Sequence, residues 1–204
     1  MKKLLFSLVT ILVLSCTVDA QMVHPTLDNL RGEVIVENEI FKIGYSEVLE
    51  NPLWIEYTIQ CPLSGVDRGG MDFYEVEGLH TSDDDDYYKN EWDKGHMVPA
   101  AAFNCTKEML LLTFSYANSA IQHESLNRGV WSRLEGFERN LANFYEVKVR
   151  IEVIFDENPK RLPSNAAIPT HFKKILMFDG REEVFLFPNE NTSGSDWMDF
   201  YVAK

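Results

Sequence analysis

The stretch WDKGHMVPA at residues 92–100 guides the interpretation of this chain. It places His96 directly after a glycine, which permits close approach of another backbone. Imidazole changes charge near neutral pH, so a histidine here suits a general base. Asp93 lies three residues earlier and is expected to orient either the imidazole or the local backbone. His96 is therefore the first candidate functional residue.

A second polar set lies in the stretch LNRGVWSRLEGFER at residues 126–139. Its apolar residues recur at three- and four-residue intervals, which predicts an amphipathic helix at about 127–144. Four of its residues are successive i, i+4 neighbours and share one face: Asn127, Trp131, Glu135 and Arg139. Two interpretations remain open. The set is either a helix cap at Asn127 with a surface Glu135–Arg139 pair, or a site.

The chemistry of this set suits metal-assisted phosphodiester hydrolysis. The amide oxygen of Asn127 is a hard ligand for Mg²⁺, and Glu135 can hold a water that Mg²⁺ retains. Arg139 and an upstream arginine can clamp a phosphate. His96 can act as the base on water. Covalent catalysis has less support, because the sequence contains no GxSxG motif.

The composition limits the classes of protein to consider. A chain of 204 residues with 45% hydrophobic residues is typical of one globular domain. The net charge of −13 argues against a protein that coats nucleic acid nonspecifically. Any site for a polyanion must therefore be a local basic patch.

Residues 1–20 have the composition of a signal peptide. Two lysines precede an apolar run at residues 4–14, which is too short to span a bilayer, and small residues lead up to Ala20. We predict cleavage near Ala20, a single domain at 21–204, and a secreted or periplasmic protein. Lipid attachment at Cys16 is the alternative, because VLSC loosely resembles a lipoprotein box. No later stretch predicts a transmembrane segment.

The secondary structure predicted from patterning is mixed, with five to seven strands. A short helix is expected at Lys107–Leu112, and the run Asp83–Asp86 is interpreted as a solvated loop. A hairpin is expected around Asp179–Gly180. Cys61 and Cys105 form either one disulfide or two buried thiols. A strand or strand pair is predicted at 33–43, and single strands at 53–60, 111–116, 145–155, 172–178 and 183–187.

These residues resemble the DNA/RNA non-specific endonuclease family of the ββα-metal superfamily. The family's DRGH motif appears as DKGH at residues 93–96. The resemblance covers about 54–190. It implies an α+β fold with a mixed, largely antiparallel sheet, a ββα-metal motif and one long helix at about 127–144. The family's later signature appears as Asn118, Gln122, Asn127, Trp131, Glu135 and Arg139.

The resemblance also implies a role for each matching residue. His96 would be the general base, Asn127 the direct ligand of Mg²⁺ (or Mn²⁺), and Glu135 a ligand through water. The substrates would be DNA and RNA, cut without strong sequence preference. Further catalytic roles fall to Asn118, Arg139 and Arg68, and substrate binding to Lys94, Arg68, Arg128 and Arg139.

The chain departs from the family pattern at Lys94, which replaces an arginine and loses its forked hydrogen bonds. Ile121 stands where the family has proline, and Ala102 where it has aspartate. These departures keep two alternatives open. One is a nuclease-fold binding protein with weak or no activity, and the other is a hydrolase of smaller phosphodiesters. The protein is expected to be a monomer or a homodimer.

Overall fold

The computed structural model describes residues 22–25, 32–63 and 65–202, so the predicted signal peptide lies outside the described residues. Ten strands form two sheets. The strands are β1 (Met22–Pro25), β2 (Glu33–Glu37), β3 (Phe41–Ser46), β4 (Asn51–Thr58), β5 (Trp92–His96), β6 (Ser119–His123), β7 (Lys148–Ile154), β8 (His171–Phe178), β9 (Arg181–Pro188) and β10 (Tyr201–Val202). All strand pairs are antiparallel, in the order β1-β2-β3-β4-β7-β8-β9-β10 and, separately, β5-β6.

The core lies between the large sheet and one long helix. Alternate residues of β7, including Val149 and Ile151, are buried, as the two-residue period of a strand requires. From the helix, Trp131 packs edge-on against Phe172 and Phe187, with ring centroids 5.6 and 5.5 Å away. The helix that carries the polar residues therefore packs against strands β8 and β9 of the large sheet.

The long helix runs from Leu126 to Leu141 in two parts. The first, Leu126–Trp131, has π-type turns with a non-helical residue at Gly129 (φ −106°, ψ −110°), and the second is a regular α-helix, Ser132–Leu141. The predicted cap at Asn127 is wrong. The helix begins one residue earlier, and the Asn127 side chain bonds elsewhere.

The other helix, Lys107–Leu112, has the predicted bounds. Its N-cap is Thr106, whose Oγ1 accepts a hydrogen bond from Met109 N at 3.2 Å. The described helices include none long and apolar enough to cross a membrane.

The predicted hairpin at Asp179–Gly180 is confirmed. Both residues have positive φ, 49° and 68°, as a tight turn between twisted strands requires. The disulfide Cys61–Cys105 is also present. It settles the two readings of these cysteines that the sequence left open.

Three sequence predictions are wrong. Residues 111–116 form no named strand, because Thr113 Oγ1 donates back to Leu110 O at 2.7 Å and the chain turns there. The acidic run forms a 3-10 helix, Asp84–Tyr87, with Asp86 buried, and is more than a solvated loop. The strand number was underestimated, because β5 and β6 carry polar residues and glycine in place of an alternating apolar pattern.

Candidate active site

The candidate site is built on a ββα unit. Strand β5 pairs with β6 in the register His96↔Ser119 and Trp92↔His123, and the long helix starts three residues after β6. The fold therefore joins the two stretches that carry the motif. The unit brings the end of β5 and the start of the helix into one structural element.

The imidazole of His96 lies among aromatic side chains. Its ring centroid is 4.7 Å from that of Phe73 and 4.9 Å from that of Phe114. Burial, and secondarily the nearby Arg68, lowers the pKa of His96 to about 4. Its buried Nε2 has no hydrogen-bond partner among the described residues. At neutral pH the imidazole is therefore uncharged, and one of its ring nitrogens has no hydrogen-bond partner among the described residues.

Asp93 orients the start of the helix and has no hydrogen bond to the imidazole among the described residues, so that option of the sequence analysis is wrong. Its Oδ2 accepts hydrogen bonds from Asn127 Nδ2 at 2.8 Å and from Arg128 Nε at 2.9 Å. Its Oδ1 accepts from Arg128 Nη2 at 2.6 Å. Because the amide nitrogen of Asn127 is held in this way, its Oδ1 is left for a hard cation such as Mg²⁺.

Replacing Asp93 with alanine is expected to weaken the apparent affinity for the activating metal by about 10–100-fold, because Asn127 loses the partner that orients its amide. Arg128→Ala is the matched control, since it removes the other side chain on Asp93 but leaves the bond to Asn127. Titration of Mg²⁺ or Mn²⁺ by calorimetry measures both. Equal affinity in the wild type and Asp93→Ala would contradict this role.

Glu135 lies on the regular part of the helix. Burial raises the pKa of Glu135 to about 7; Lys174 and Arg139 oppose this shift, and Glu138 adds to it. A carboxyl group poised near neutrality can take up a proton or bind a cation. The surface Glu135–Arg139 pair, one of the two interpretations that the sequence left open, is absent from the described contacts at 4.0 Å or less.

Asn118 is fully buried and positions the backbone beyond His96. Its Oδ1 accepts from Val98 N at 2.8 Å, and its Nδ2 donates to Val98 O at 3.0 Å and to Thr113 O at 2.8 Å. The side-chain amide is thus committed to backbone groups. This arrangement supports a positioning role for Asn118.

The predicted phosphate-binding cations fall into two groups. Lys94 Nζ lies 3.3 Å from Asp72 and also pairs with Asp84, and Arg128 is clamped by Asp93. Arg68 and Arg139, by contrast, have no carboxylate within 4.0 Å among the described residues. The free positive charge that the sequence predicted is therefore concentrated on the second pair.

The sequence did not reveal that Asp72 and Asp84 pair with Lys94, because only the fold brings these carboxylates close to it. Tyr116 adds to this network by donating from its hydroxyl to Asp84 Oδ1 at 2.6 Å. Lys174 was also missed, although a signal was available. It lies on the buried face of β8 between Phe172 and Leu176. In an alternating strand this position is normally apolar.

Gly95 lies where the two strands of the unit approach each other. A Cβ at this position would lie 2.4 Å from Gln122 Oε1 and 2.7 Å from Gln122 Cβ. Gly95→Ala is therefore expected to lower the free energy of unfolding by about 1–3 kcal/mol. Gly136→Ala is the control, because its nearest neighbour is the end of Arg139 at 3.8 Å, and the helix is expected to gain about 0.5–1 kcal/mol. Denaturant unfolding measures both, and a neutral Gly95→Ala would contradict the contact.

The ββα unit beside a large antiparallel sheet is the structural feature to compare with known proteins, and the comparison identifies the family. The sequence profile of the DNA/RNA non-specific endonuclease family matches residues 20–203. The chain belongs to this family. A chain in the crystal structure of the EndoG/EndoGI complex matches with a TM-score of 0.73 and 23% identity, covering 83% of this chain and 80% of that one. This likeness supports the α+β fold.

Curated relatives agree with the family assignment. The mitochondrial nuclease of Saccharomyces cerevisiae is 28% identical over 202 residues, covering 80% of this chain and 60% of the relative. Nuclease EXOG of Danio rerio is 28% identical over 152 residues, covering 66% and 44%. Nuclease C1 of Cunninghamella echinulata is 32% identical over 146 residues, covering 62% and 58%. The chain spans about half the length of these relatives.

Proposed function

We propose that this protein is a metal-dependent nuclease that hydrolyses phosphodiester bonds of DNA and RNA without strong sequence preference. The observation that carries the proposal is the uncharged His96, whose buried Nε2 has no partner among the described residues, on a ββα unit that also holds Asn127. Membership of a family whose relatives are named nucleases supports it.

The residues have separate tasks in this mechanism. The unprotonated ring nitrogen of His96 takes a proton from water as the water oxygen forms its bond to phosphorus. Arg68 and Arg139 bind the phosphate oxygens, where negative charge accumulates. The bond from phosphorus to the 3′ oxygen breaks and that oxygen takes up a proton from solvent water, which leaves a 5′-phosphate and a 3′-hydroxyl.

The donor set favours a hard cation. Asn127 Oδ1 would hold Mg²⁺ directly and Glu135 would bind it through a water, and Mn²⁺ accepts the same ligand types. When bound, Mg²⁺ supplies positive charge that stabilises the transition state. The described residues contain no cluster of three His, Cys, Asp or Glu side chains suited to a metal. A site built on one amide therefore fits better than a carboxylate cage.

Incubation of the mature protein with supercoiled plasmid and with RNA, in Mg²⁺ or in EDTA, tests the proposal. We expect both substrates to be cut in Mg²⁺ and neither in EDTA. If neither is cut in Mg²⁺, the proposal is wrong. The second candidate, a binding protein without activity, is then favoured, because Lys94 is already paired with Asp72 and Asp84.

We further propose that the protein is exported. The disulfide Cys61–Cys105 supports an oxidising compartment. Several relatives are mitochondrial by name, but residues 1–20 here lack the arginines typical of a mitochondrial transit peptide. The intact mass of the exported protein distinguishes cleavage near Ala20 from lipid attachment at Cys16. A mass that retains residues 1–20 would contradict both.

A further inference from the structure

A buried ion pair lies between β8 and the helix that carries Glu135. Lys174 Nζ lies 2.7 Å from Glu138 Oε1, and neither side chain is exposed. The ammonium also lies 4.2 Å from the centre of the Trp131 ring. Because Lys174 belongs to β8, the large sheet places one positive charge against this face of the helix. The proposed mechanism gives no task to Lys174 or Glu138.

Glu135 lies between the two helix residues that Lys174 contacts. Trp131 precedes Glu135 by four positions and Glu138 follows it by three. Side chains at these separations are neighbours on one face of a helix. An ammonium in contact with both Trp131 and Glu138 is therefore close to Glu135 as well. Among the residues that the structure describes, Lys174 nevertheless forms its ion pair with Glu138 and none with Glu135.

The carboxylate of Glu138 is held from its second oxygen as well. Tyr57 donates from its hydroxyl to Glu138 Oε2 at 3.2 Å. Burial raises the pKa of Tyr57 well above its usual range, and the charges of Glu138 and Glu135 both add to this shift. Both carboxylates therefore lie near the same hydroxyl and the same ammonium. The hydrogen bond from Tyr57 helps to fix Glu138 as the one that pairs with Lys174.

The charges of this cluster decide how well Glu135 can bind a hydrated cation. Two carboxylates and one buried ammonium leave one negative charge, which attracts a divalent cation. Without the charge of Glu138, the charges of Glu135 and Lys174 would cancel. A salt bridge from Lys174 would also occupy the Glu135 oxygens that accept hydrogen bonds from water on the metal. Arg139 is near as well, but it is partly exposed and binds the phosphate in the proposed mechanism.

We propose that Glu138 is a positioning residue for the metal, because it holds Lys174 and thereby keeps Glu135 available to a hydrated divalent cation. This inference rests on the proposed function and deepens it, since it adds to the metal site a residue that does not touch the metal. It also gives the buried pair a task other than stability. A buried ion pair is often no more stabilising than two apolar side chains of similar volume.

Calorimetric titration of Mg²⁺ into the mature protein tests the proposal, at about pH 8.5 so that the carboxylates are ionised. Glu138→Gln keeps the volume and an acceptor for Tyr57 but removes the charge. We expect it to weaken Mg²⁺ binding by about tenfold, because the charge of Lys174 is then left to Glu135. A crystal structure of Glu138→Gln is expected to show Lys174 Nζ closer to the Glu135 carboxylate than in the wild type.

The double variant Glu138→Gln/Lys174→Met separates charge from packing. It removes both members of the pair, so one negative charge remains on Glu135. We expect its Mg²⁺ affinity to return to within about threefold of the wild type. If Glu138 acted only through packing, two core substitutions would weaken Mg²⁺ binding at least as much as one. Glu138→Asp keeps the charge and should also stay within about threefold.

Glu152→Gln is the matched control. Glu152 pairs with Lys173 at 3.1 Å, and Lys173 lies next to Lys174 on the opposite face of β8. This variant removes an equal charge and a lysine ion pair but should change Mg²⁺ affinity by less than about twofold.

Circular dichroism checks that each variant is folded, and if Glu138→Gln is not, Glu138→Asp and the double variant still carry the test. The proposal is overturned if Glu138→Gln binds Mg²⁺ like the wild type or if Glu152→Gln has an equal effect. It is also overturned if the double variant binds no better than Glu138→Gln, or if Glu138→Asp loses about tenfold.

The two proposals fail in different ways. If plasmid is cut by the wild type but Glu138→Gln binds Mg²⁺ like the control, the role of Glu138 is wrong and the nuclease stands. If Mg²⁺ binding follows the expected order of variants but plasmid is never cut, the role of Glu138 stands and the nuclease is wrong. If the wild type binds no Mg²⁺ and cuts nothing, both are wrong.

Discussion

Replacing Lys174 with methionine is expected to lower the free energy of unfolding by about 3–5 kcal/mol, because it leaves a buried carboxylate without its partner. Lys174 Nζ lies 2.7 Å from Glu138 Oε1, and neither side chain is exposed. The two atoms are poorly aligned for a hydrogen bond, so the attraction is mainly ionic. The ammonium also lies 4.2 Å from the centre of the Trp131 ring.

The pair is held in place by a third residue, and this defines the control. Tyr57 donates from its hydroxyl to Glu138 Oε2 at 3.2 Å. Glu138→Gln keeps an acceptor for Tyr57, so the double variant Lys174→Met/Glu138→Gln removes both charges without leaving that hydroxyl unpaired. We expect the double variant to be more stable than Lys174→Met alone.

Chemical denaturation of the wild type, both single variants and the double variant gives the coupling energy directly. Additive effects, or a loss below about 1 kcal/mol in Lys174→Met, would show that the pair is not the source of stability. If Lys174→Met does not fold, Glu138→Gln still reports on the same contact from the other side.

His96→Ala is expected to lower kcat by about 10²–10⁴-fold, because the water that attacks phosphorus loses its general base. The substitution also opens space between Phe73 and Phe114, so folding is checked separately by circular dichroism. His96→Gln is the matched variant, since it keeps polarity and much of the volume but cannot accept the proton. Cleavage by either variant at the wild-type rate would contradict the mechanism.

The pKa of His96 supplies an independent measurement that needs no activity. A pKa near 4 means that the imidazole is neutral at pH 7 and gains its proton only as the pH falls through about 4. Nuclear magnetic resonance of the histidine side chains should therefore show one signal that titrates about two units below the usual range. That signal should vanish in His96→Gln. A bound phosphate brings negative charge near Arg68 and should move the pKa upward.

Patterning predicted the parts of this fold whose signals are local. The Asp179–Gly180 turn and the helix Lys107–Leu112 are set by residues within a few positions of each other, and both are confirmed. Strand β5 was not predicted from patterning, because its buried position is Gly95, which carries no side chain. The resemblance found the ββα unit that periodicity alone had not.

The candidate site was predictable in its residue types but not in its pairings. His96 and Asn127 were found from their chemistry and spacing. The sequence gives no sign that Asp93 binds Asn127 or that Asp84 pairs with Lys94. These contacts join segments that only the tertiary fold brings together.

The disulfide Cys61–Cys105 constrains the segment that carries the proposed general base. It closes a loop of 44 residues that contains Arg68, Lys94 and His96. By loop-closure entropy such a crosslink stabilises the folded chain by about 4 kcal/mol. Before oxidation that contribution is missing, and the segment that carries the proposed base is the one left unconstrained. An exported chain would thus carry its nuclease least assembled while it is still beside the nucleic acids of the cell that makes it.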